Sequence, residues 1–139
     1  MAFFIFMGAW SYAQTKPTEP LKNEKVTDRF GLVQPDSIEM VFVHGGTFRM
    51  GSDRNESEKP VHPVTVSSFY MSTHEITQEQ WQAVMGYNES WYSDCPVCPV
   101  EMVSWNRVQE FITKLSKLTA KHYRLPTEAE WEFAATGWN

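Results

Sequence analysis

The fold is decided by residues 123–135, YRLPTEAEWEFAA, near the end of the 139-residue chain. In this stretch Glu130 follows Thr127 at the spacing of a capping box, in which each side chain bonds the backbone amide of the other residue. The pattern predicts a helix that begins after Thr127 and carries Trp131. Residues 123–126 then form the loop that leads into this helix.

Three acids of this stretch, Glu128, Glu130 and Glu132, allow two interpretations. Paired carboxylates can act as general acid and general base. A structural role is favoured, because the helix dipole stabilises acids in the first turn and alternate carboxylates do not share a helix face. Arg124 lies just before the helix and is expected to pair with one of these acids and lock the loop.

Two more helices are predicted upstream. Residues 77–80, TQEQ, form another capping box, and Gly86 supplies a stop signal for the helix that follows it. The next helix is expected to start after Ser104. Its apolar stripe consists of Trp105, Val108, Phe111, Ile112, Leu115 and Leu118. Three tryptophans on helix stripes are expected to be core residues: Trp81, Trp105 and Trp131.

Strand signals precede the helices. Residues 40–43 and 47–51 flank two glycines, Gly45 and Gly46, which can adopt the positive φ of a tight turn, so a β-hairpin is predicted there. Apolar residues alternate with polar ones from Val64 to Phe69, which indicates a further half-buried strand. Strands and helices do not alternate in the βαβ manner, so the expected class is α+β with much irregular structure.

The first 36 residues are expected to lie outside the domain. Residues 3–13, FFIFMGAWSYA, form an apolar run that is too short to span a bilayer as a helix. Small residues at Ser11 and Ala13 are typical of a cleavage site, so residues 1–13 are interpreted as a signal peptide. The alternative is a buried N-terminal strand. Residues 14–36 are interpreted as a polar linker and residues 37–139 as the domain, exported to the periplasm, the cell envelope or the medium.

The charge balance limits the classes of partner. The chain has 12 Lys and Arg against 17 Asp and Glu, a net charge of −5, which argues against a nucleic-acid binder. No apolar segment is long enough for a stable membrane span. Residues 60–106 contain no Lys or Arg but hold five acids, Glu75, Glu79, Glu89, Asp94 and Glu101. Such a segment either attracts a basic peptide or calcium, or is simply a solvated face.

Cys95 and Cys98 are the two cysteines of the chain. The C-x-x-C spacing occurs in redox and metal sites, but Pro96 and Pro99 indicate a loop rather than the helix N-terminus that activates a catalytic thiol. No second pair completes a zinc site. A small loop-closing disulfide or two free thiols is the favoured interpretation. The histidines show no metal-binding spacing: His44, His62, His74 and His122.

Residues 123–135 resemble the hallmark of the formylglycine-generating enzyme family, also called the sulfatase-modifying factors. Three further pieces resemble this family in the same order along the chain. They are residues 46–51, GTFRMG, residues 75–78, EITQ, and residues 99–105, PVEMVSW. The resemblance extends from about Ile38 to the end of the chain and implies the N-terminal part of the family domain, truncated at its C-terminus.

The resemblance implies a C-type-lectin-like fold and a chemistry. Active members of the family oxidise a sulfatase cysteine to formylglycine, with oxygen and a copper ion held by two cysteines. In the family that pair and the main calcium loops lie beyond the position of residue 135, and Cys95 and Cys98 do not match them. No catalytic, cofactor-binding or metal residue is therefore assigned here, and this chain alone is expected to be inactive.

The resemblance also implies the partners and cofactors of a complete domain. Copper and calcium are expected there, and the partner would be an unfolded sulfatase polypeptide or another protein. The alternative is a non-catalytic lectin-like binding or assembly module at the cell envelope, because a fold does not settle a function.

Overall fold

The computed structural model describes residues 25–29 and 37–136, which contain five strands, three α-helices and a short 3-10 turn at Glu56–Glu58. The strands are β1 (Lys25–Arg29), β2 (Ser37–Val43), β3 (Gly46–Met50), β4 (His62–Val66) and β5 (Phe69–Ser72). The helices are α1 (Gln78–Met85), α2 (Trp105–Thr119) and α3 (Glu128–Thr136). These elements confirm the α+β class. The residues interpreted as a signal peptide lie outside the described residues.

The strands form two antiparallel sheets. The larger sheet has the order β1-β2-β5, and the smaller one pairs β3 with β4. β1 lies within the segment interpreted as a linker, where no strand was predicted. Its sequence, KVTDR, is short and mostly polar, so it carries no apolar period. Backbone pairing with β2, in register from Lys25 opposite Val41 to Arg29 opposite Ser37, places it in the sheet.

The hairpin predicted across Gly45 and Gly46 is wrong, because β2 and β3 belong to different sheets. Gly45 meets a close backbone approach rather than a tight turn. A Cβ atom there would lie 2.3 Å from the carbonyl oxygen of Val66 and 2.6 Å from the backbone nitrogen of Ser68. The strand expected from Val64 to Phe69 is divided at the same place, since β4 ends at Val66 and Phe69 starts β5 in the other sheet.

The larger sheet carries a core on each face, because side chains alternate between the two faces of a strand. On one face Ile38 and Met40 pack with α1 and α2, where the rings of Trp81 and Phe111 stack with centroids 4.9 Å apart. On the other face the cluster contains Val43, Val66, Phe69, Met71 and Phe133. α3 therefore closes the second core against the smaller sheet.

The predicted signals of α1 and α2 are confirmed. The Thr77 hydroxyl accepts from the Gln80 amide and the Gln80 side chain accepts from the Thr77 amide, while Gly86 ends the helix with a φ of 88°. The Ser104 hydroxyl accepts from the backbone N–H of Arg107 at the start of α2. The buried residues of α2 are Val108, Phe111, Ile112 and Leu115.

The core prediction for the three tryptophans holds only for Trp81, which is fully buried. Trp105 is 65% exposed and Trp131 is 47% exposed, so the prediction is wrong for both. Trp105 shares the spacing of the buried stripe, but it is the first residue of α2 and precedes Val108, the first buried residue of the helix. α3 buries Glu130 and Phe133, and Trp131 falls on the neighbouring face of the helix.

Gly45→Ala is expected to destabilise the domain by about 1–3 kcal/mol, because backbone atoms rather than a flexible side chain would have to move. Urea denaturation monitored by tryptophan fluorescence measures the change. Gly46→Ala is the matched control, since its nearest neighbour is a side-chain atom, Cζ of Phe133, at 3.3 Å. Equal stability of the two variants would contradict the role given to Gly45.

Candidate functional site

The long loop between α1 and α2, residues 87–104, is fastened by a buried amide of α1. The Gln78 side chain is 2% exposed. Its Nε2 donates to the carbonyl of Tyr92 at 3.0 Å and to that of Pro99 at 3.5 Å, and its Oε1 accepts from Asn88 at 2.9 Å. One side chain therefore contacts both the first part of the loop, at Asn88 and Tyr92, and the last part, at Pro99. We call these two parts the limbs of loop 87–104.

The two limbs of loop 87–104 are also bonded to each other. The backbone N–H of Tyr92 donates to Oε1 of Glu101 at 2.9 Å, and the N–H of Glu101 donates to the hydroxyl of Ser90 at 3.2 Å. The N–H of Ser90 donates to Oδ1 of Asn88 at 3.1 Å. These hydrogen bonds within the loop fix the backbone that carries the outward-pointing side chains.

The segment between the limbs covers the N-terminus of α1. Cys95 and Cys98 are joined by a disulfide. The carbonyl of Cys98 accepts from the N–H of Gln78, and that of Pro96 accepts from the N–H of Glu79, both at 2.9 Å. The first N–H groups of a helix have no acceptor within the helix. The disulfide-closed segment provides acceptors for two of them.

Five large apolar side chains of this region face solvent. They are Trp91 and Tyr92 at 75% exposure, Val97, Met102 and Trp105. We call these five residues the apolar surface. Single exposed apolar residues need no explanation, whereas large contiguous apolar patches mark interaction sites, so these five residues of loop 87–104 and the start of α2 are the candidate site. Met102 has a φ of 60°, a conformation that non-glycine residues adopt mainly where the surroundings enforce it.

The charges around the apolar surface are acidic. Asp94 and Glu101 belong to the loop itself, and Arg107 is the first basic residue that follows. Arg107 is already engaged: it donates to Glu110 at 2.9 Å and lies 5.6 Å from the ring centre of Tyr87. The hydrogen bond to Glu110 raises the pKa of Arg107 and lowers that of Glu110. Residues 60–106, which include all five residues of the apolar surface, thus contain carboxylates but no Lys or Arg, and Arg107 is paired with Glu110.

The residues singled out in the hallmark stretch form a clamp rather than a reactive centre. The Arg124 guanidinium donates to both carboxylate oxygens of Glu130, at 2.7 and 2.6 Å. Glu130 also accepts from the backbone and the hydroxyl of Thr127, and the Thr127 hydroxyl accepts from the Glu130 amide. The Arg124 hydrogen bond holds the pKa of Glu130 below its ordinary value. Glu128 and Trp131 face solvent instead.

Sequence reasoning missed the role of Glu132. Its Oε1 accepts from the backbone N–H of Gly51 at 2.8 Å and so ties α3 to the end of β3. Gly51 has a φ of 92°, and a Cβ there would lie 2.3 Å from the carbonyl oxygen of Glu58. Gly51 and Glu132 belong to two of the stretches that carry the family resemblance, and only the fold brings these stretches together.

The described residues do not fit the copper and calcium that the family implies. Cys95 and Cys98 hold each other in a disulfide, so they present no thiolate pair. Nδ1 of His62 lies 2.8 Å from the carbonyl of Pro60, and Nδ1 of His74 lies 2.8 Å from that of Glu75. Within residues 25–29 and 37–136 no group of three His, Cys, Asp or Glu side chains could hold a metal ion. We assign no metal-dependent step to them.

A family match covers nearly all the described residues. Residues 29–138 match the model of the sulfatase-modifying factor enzyme 1-like domain. The chain belongs to this family. The match begins at the last residue of β1 and includes loop 87–104 and the Arg124–Glu130 clamp. Among residues 25–29 and 37–136, no helix is long and apolar enough to cross a membrane.

Curated proteins of several functions resemble this sulfatase-modifying factor domain. The chain is 34% identical over 134 residues to the "Chaperone protein LppX" of Paenibacillus barcinonensis, covering 73% of this chain and 46% of that protein. It is 28% identical over 154 residues to the "Formylglycine-generating enzyme" of Mycobacterium tuberculosis, covering 71% of this chain and 52% of that protein. The chain thus spans about half the length of these relatives.

A solved structure confirms the fold of this sulfatase-modifying factor domain. "Treponema denticola variable protein 1" superposes with a TM-score of 0.71 at 27% identity, covering 86% of this chain and 58% of that one. The mixed α+β architecture with small antiparallel sheets is therefore that of the formylglycine-generating enzyme fold.

Glu130→Gln is expected to lower stability by about 1–3 kcal/mol near neutral pH, because Arg124 loses its charged partner. The pKa of Glu130 is lower in the folded state than its ordinary 4.5. The pair therefore stabilises the fold fully above about pH 4.5, and this contribution is lost as the pH falls through the folded-state pKa. Urea denaturation from pH 3 to 7 should show a shallower acid loss in the variant.

Glu128→Gln is the matched control, because it removes the same charge from the same helical turn at an exposed position. Two other carboxyls also have lowered pKa values: Glu58, mainly through a hydrogen bond from Ser52, and Glu110, mainly through one from Arg107. Both are present in every variant, so their contribution to the pH dependence is the same. Only the difference between the two Gln variants therefore reports the clamp. The same pH dependence in both would refute the assignment to Glu130.

Proposed function

We propose that this sulfatase-modifying factor domain binds a polypeptide segment at the apolar surface. The single observation that carries the proposal is the exposure of Trp91 and Tyr92 on loop 87–104, and of Trp105 at the start of α2, where the backbone of Tyr92 is held by Gln78 and Glu101. Rings held in place present a large contact area at a small cost in side-chain entropy. Exposed rings bury little area in the folded domain itself, so their large apolar area is available for a partner.

The chemistry of the partner follows from the surface and its surroundings. The five apolar side chains require apolar groups from the partner, and the nearby carboxylates of Asp94 and Glu101 favour Lys or Arg beside them. An Arg side chain can in addition stack on an exposed tryptophan ring. We therefore propose an extended segment in which apolar and basic residues occur together. The net charge of −5 disfavours nucleic acid as the partner.

An unfolded sulfatase polypeptide is the partner that the family suggests, and another exported protein is the alternative. The Cys95–Cys98 disulfide supports export to the periplasm, the cell envelope or the medium, because disulfides persist in oxidising compartments. In the cell envelope the domain would act as a binding or assembly module. This is the non-catalytic alternative drawn from the sequence.

A second candidate function is the oxidation of a sulfatase cysteine to formylglycine by the complete protein. The specific observation in its favour is the match to a formylglycine-generating enzyme over 71% of this chain. In this proposal the described residues supply the scaffold and the polypeptide-binding loop. The reactive cysteines and copper would belong to parts of a complete domain beyond the described residues.

Trp91→Ala and Tyr92→Ala are each expected to weaken peptide binding by roughly tenfold or more, as large anchors of an interface do. The probe is a fluorescein-labelled 12-residue peptide of Leu, Phe, Ser and Arg, and fluorescence anisotropy gives the Kd. A second peptide with Glu in place of Arg should bind more weakly still to the wild-type chain.

Leu118→Ala is the matched control for these variants, because Leu118 is an exposed apolar residue of α2 outside the apolar surface. It should leave the Kd unchanged. Wild-type affinity in both ring variants, or equal loss in the Leu118 variant, would remove the basis for polypeptide binding at this surface.

The purified chain is expected to consume no oxygen with a cysteine-containing sulfatase peptide, with or without copper. The reason is that its two cysteines are held in the disulfide. An oxygen electrode and mass spectrometry of the peptide measure turnover. Formylglycine formation by this chain, abolished in the Cys95→Ser and Cys98→Ser double variant, would instead favour the oxidase and place its chemistry at this pair.

A further inference from the structure

The disulfide and the N-terminus of α1 form one structural unit. Two of the acceptors for the first helical amides are the carbonyls of Pro96, inside the ring that the disulfide closes, and of Cys98, directly after it. The third amide, that of Gln80, is served by the Thr77 hydroxyl of the helix cap. The disulfide, together with the hydrogen bond from the N–H of Cys98 to the carbonyl of Cys95, therefore holds acceptors that the helix cannot replace from its own residues.

Gln78 connects this unit to the limb of the loop that contains Tyr92. The Gln78 side chain stands in the first turn of α1 and donates to the carbonyl of Tyr92, while the Gln78 amide donates to Cys98. A movement of the disulfide-closed ring would therefore act on the residue that holds Tyr92 in place. Val97, one of the five residues of the apolar surface, lies inside the ring itself.

The disulfide can be reached from solvent. Cys95 and Cys98 are half-buried, and Pro96 and Val97 between them are exposed. The segment that carries the disulfide therefore lies at the surface of the domain. The ring spans three peptide bonds, and a loop this short contributes little to global stability, so its opening changes local rather than overall structure.

We infer that the Cys95–Cys98 disulfide is a reducible latch that holds the apolar surface in its binding form. This inference concerns the regulation of the surface and rests on the proposed polypeptide binding. A dithiol opens the latch: its thiolate attacks one sulfur to give a mixed disulfide, and its second thiolate then releases the remaining cysteine. The protein gains two electrons and two protons, and the dithiol leaves as a cyclic disulfide.

Reduction frees the carbonyls of Pro96 and Cys98 to move away from α1. The amides of Gln78 and Glu79 then open to water more often, and the Tyr92 limb loses the fixed position that Gln78 gave it. The apolar surface becomes mobile, and a partner must order it again on binding. Affinity falls for this reason, while the two cores remain intact.

Amide hydrogen exchange followed by NMR tests the latch in the full chain, with and without dithiothreitol. The chain has two cysteines, so no other disulfide is broken. The exchange of Gln78 and Glu79 should accelerate by roughly tenfold, the effect of losing one ordinary hydrogen bond. The amide of Leu115 in the core of α2 should not change. The Cys95→Ser and Cys98→Ser double variant should reproduce the reduced state.

Peptide binding to the same samples separates this inference from the proposed function. Weaker binding after reduction, together with faster exchange at Gln78 and Glu79, supports the latch. Unchanged exchange at these amides overturns it, whatever the peptide does. Absence of binding to the oxidised chain refutes polypeptide binding and, with it, the regulatory role of the latch. Faster exchange at Leu115 in both the reduced and the double-variant samples would show general unfolding and would also overturn the latch.

Discussion

Both sheets depend on one close approach of two backbone segments at Gly45. There the connection from β2 to β3 passes the connection from β4 to β5, and the N–H of Gly45 donates to the hydroxyl of Ser68 at 2.9 Å. Any side chain at Gly45 would collide with the carbonyl of Val66. Glycine thus lets two strand pairs diverge into separate sheets, and this divergence creates the second core that α3 covers.

The four stretches that carry the family resemblance meet in pairs. Residues 46–51 contact residues 123–135 through the bond from Gly51 to Glu132 and the edge-to-face rings of Phe48 and Phe133, 5.3 Å apart. The other two stretches join where Thr77 forms a bridge with Pro99. Residues far apart in the chain are therefore tied by backbone hydrogen bonds and ring contacts. This explains why an irregular fold can keep one shape with few long elements.

Contacts between distant residues also hold the loop of the proposed binding site. Backbone groups of Tyr92 and Glu101 in loop 87–104 are bonded inward to Gln78, Ser90 and Glu101, while the large rings of Trp91 and Tyr92 face solvent. The clamp of Arg124 and Glu130 lies in another part of the fold and fixes α3 instead. Glu130 and Glu132, which could suggest chemistry in the sequence, thus hold α3 in place, whereas Trp105, which suggested a core position, is exposed and belongs to the proposed binding surface.

The sequence by itself determined the local structure and the family. Capping boxes and helix stops are read from neighbouring residues, and they placed α1 and α2 correctly because a helix cap needs only a few consecutive side chains. Tertiary structure alone decided which strands pair, because Gly45 suits a turn or a close approach equally well. It also decided that β1 joins a sheet and that Trp105 and Trp131 face solvent, since burial depends on whether another element lies against that helix face.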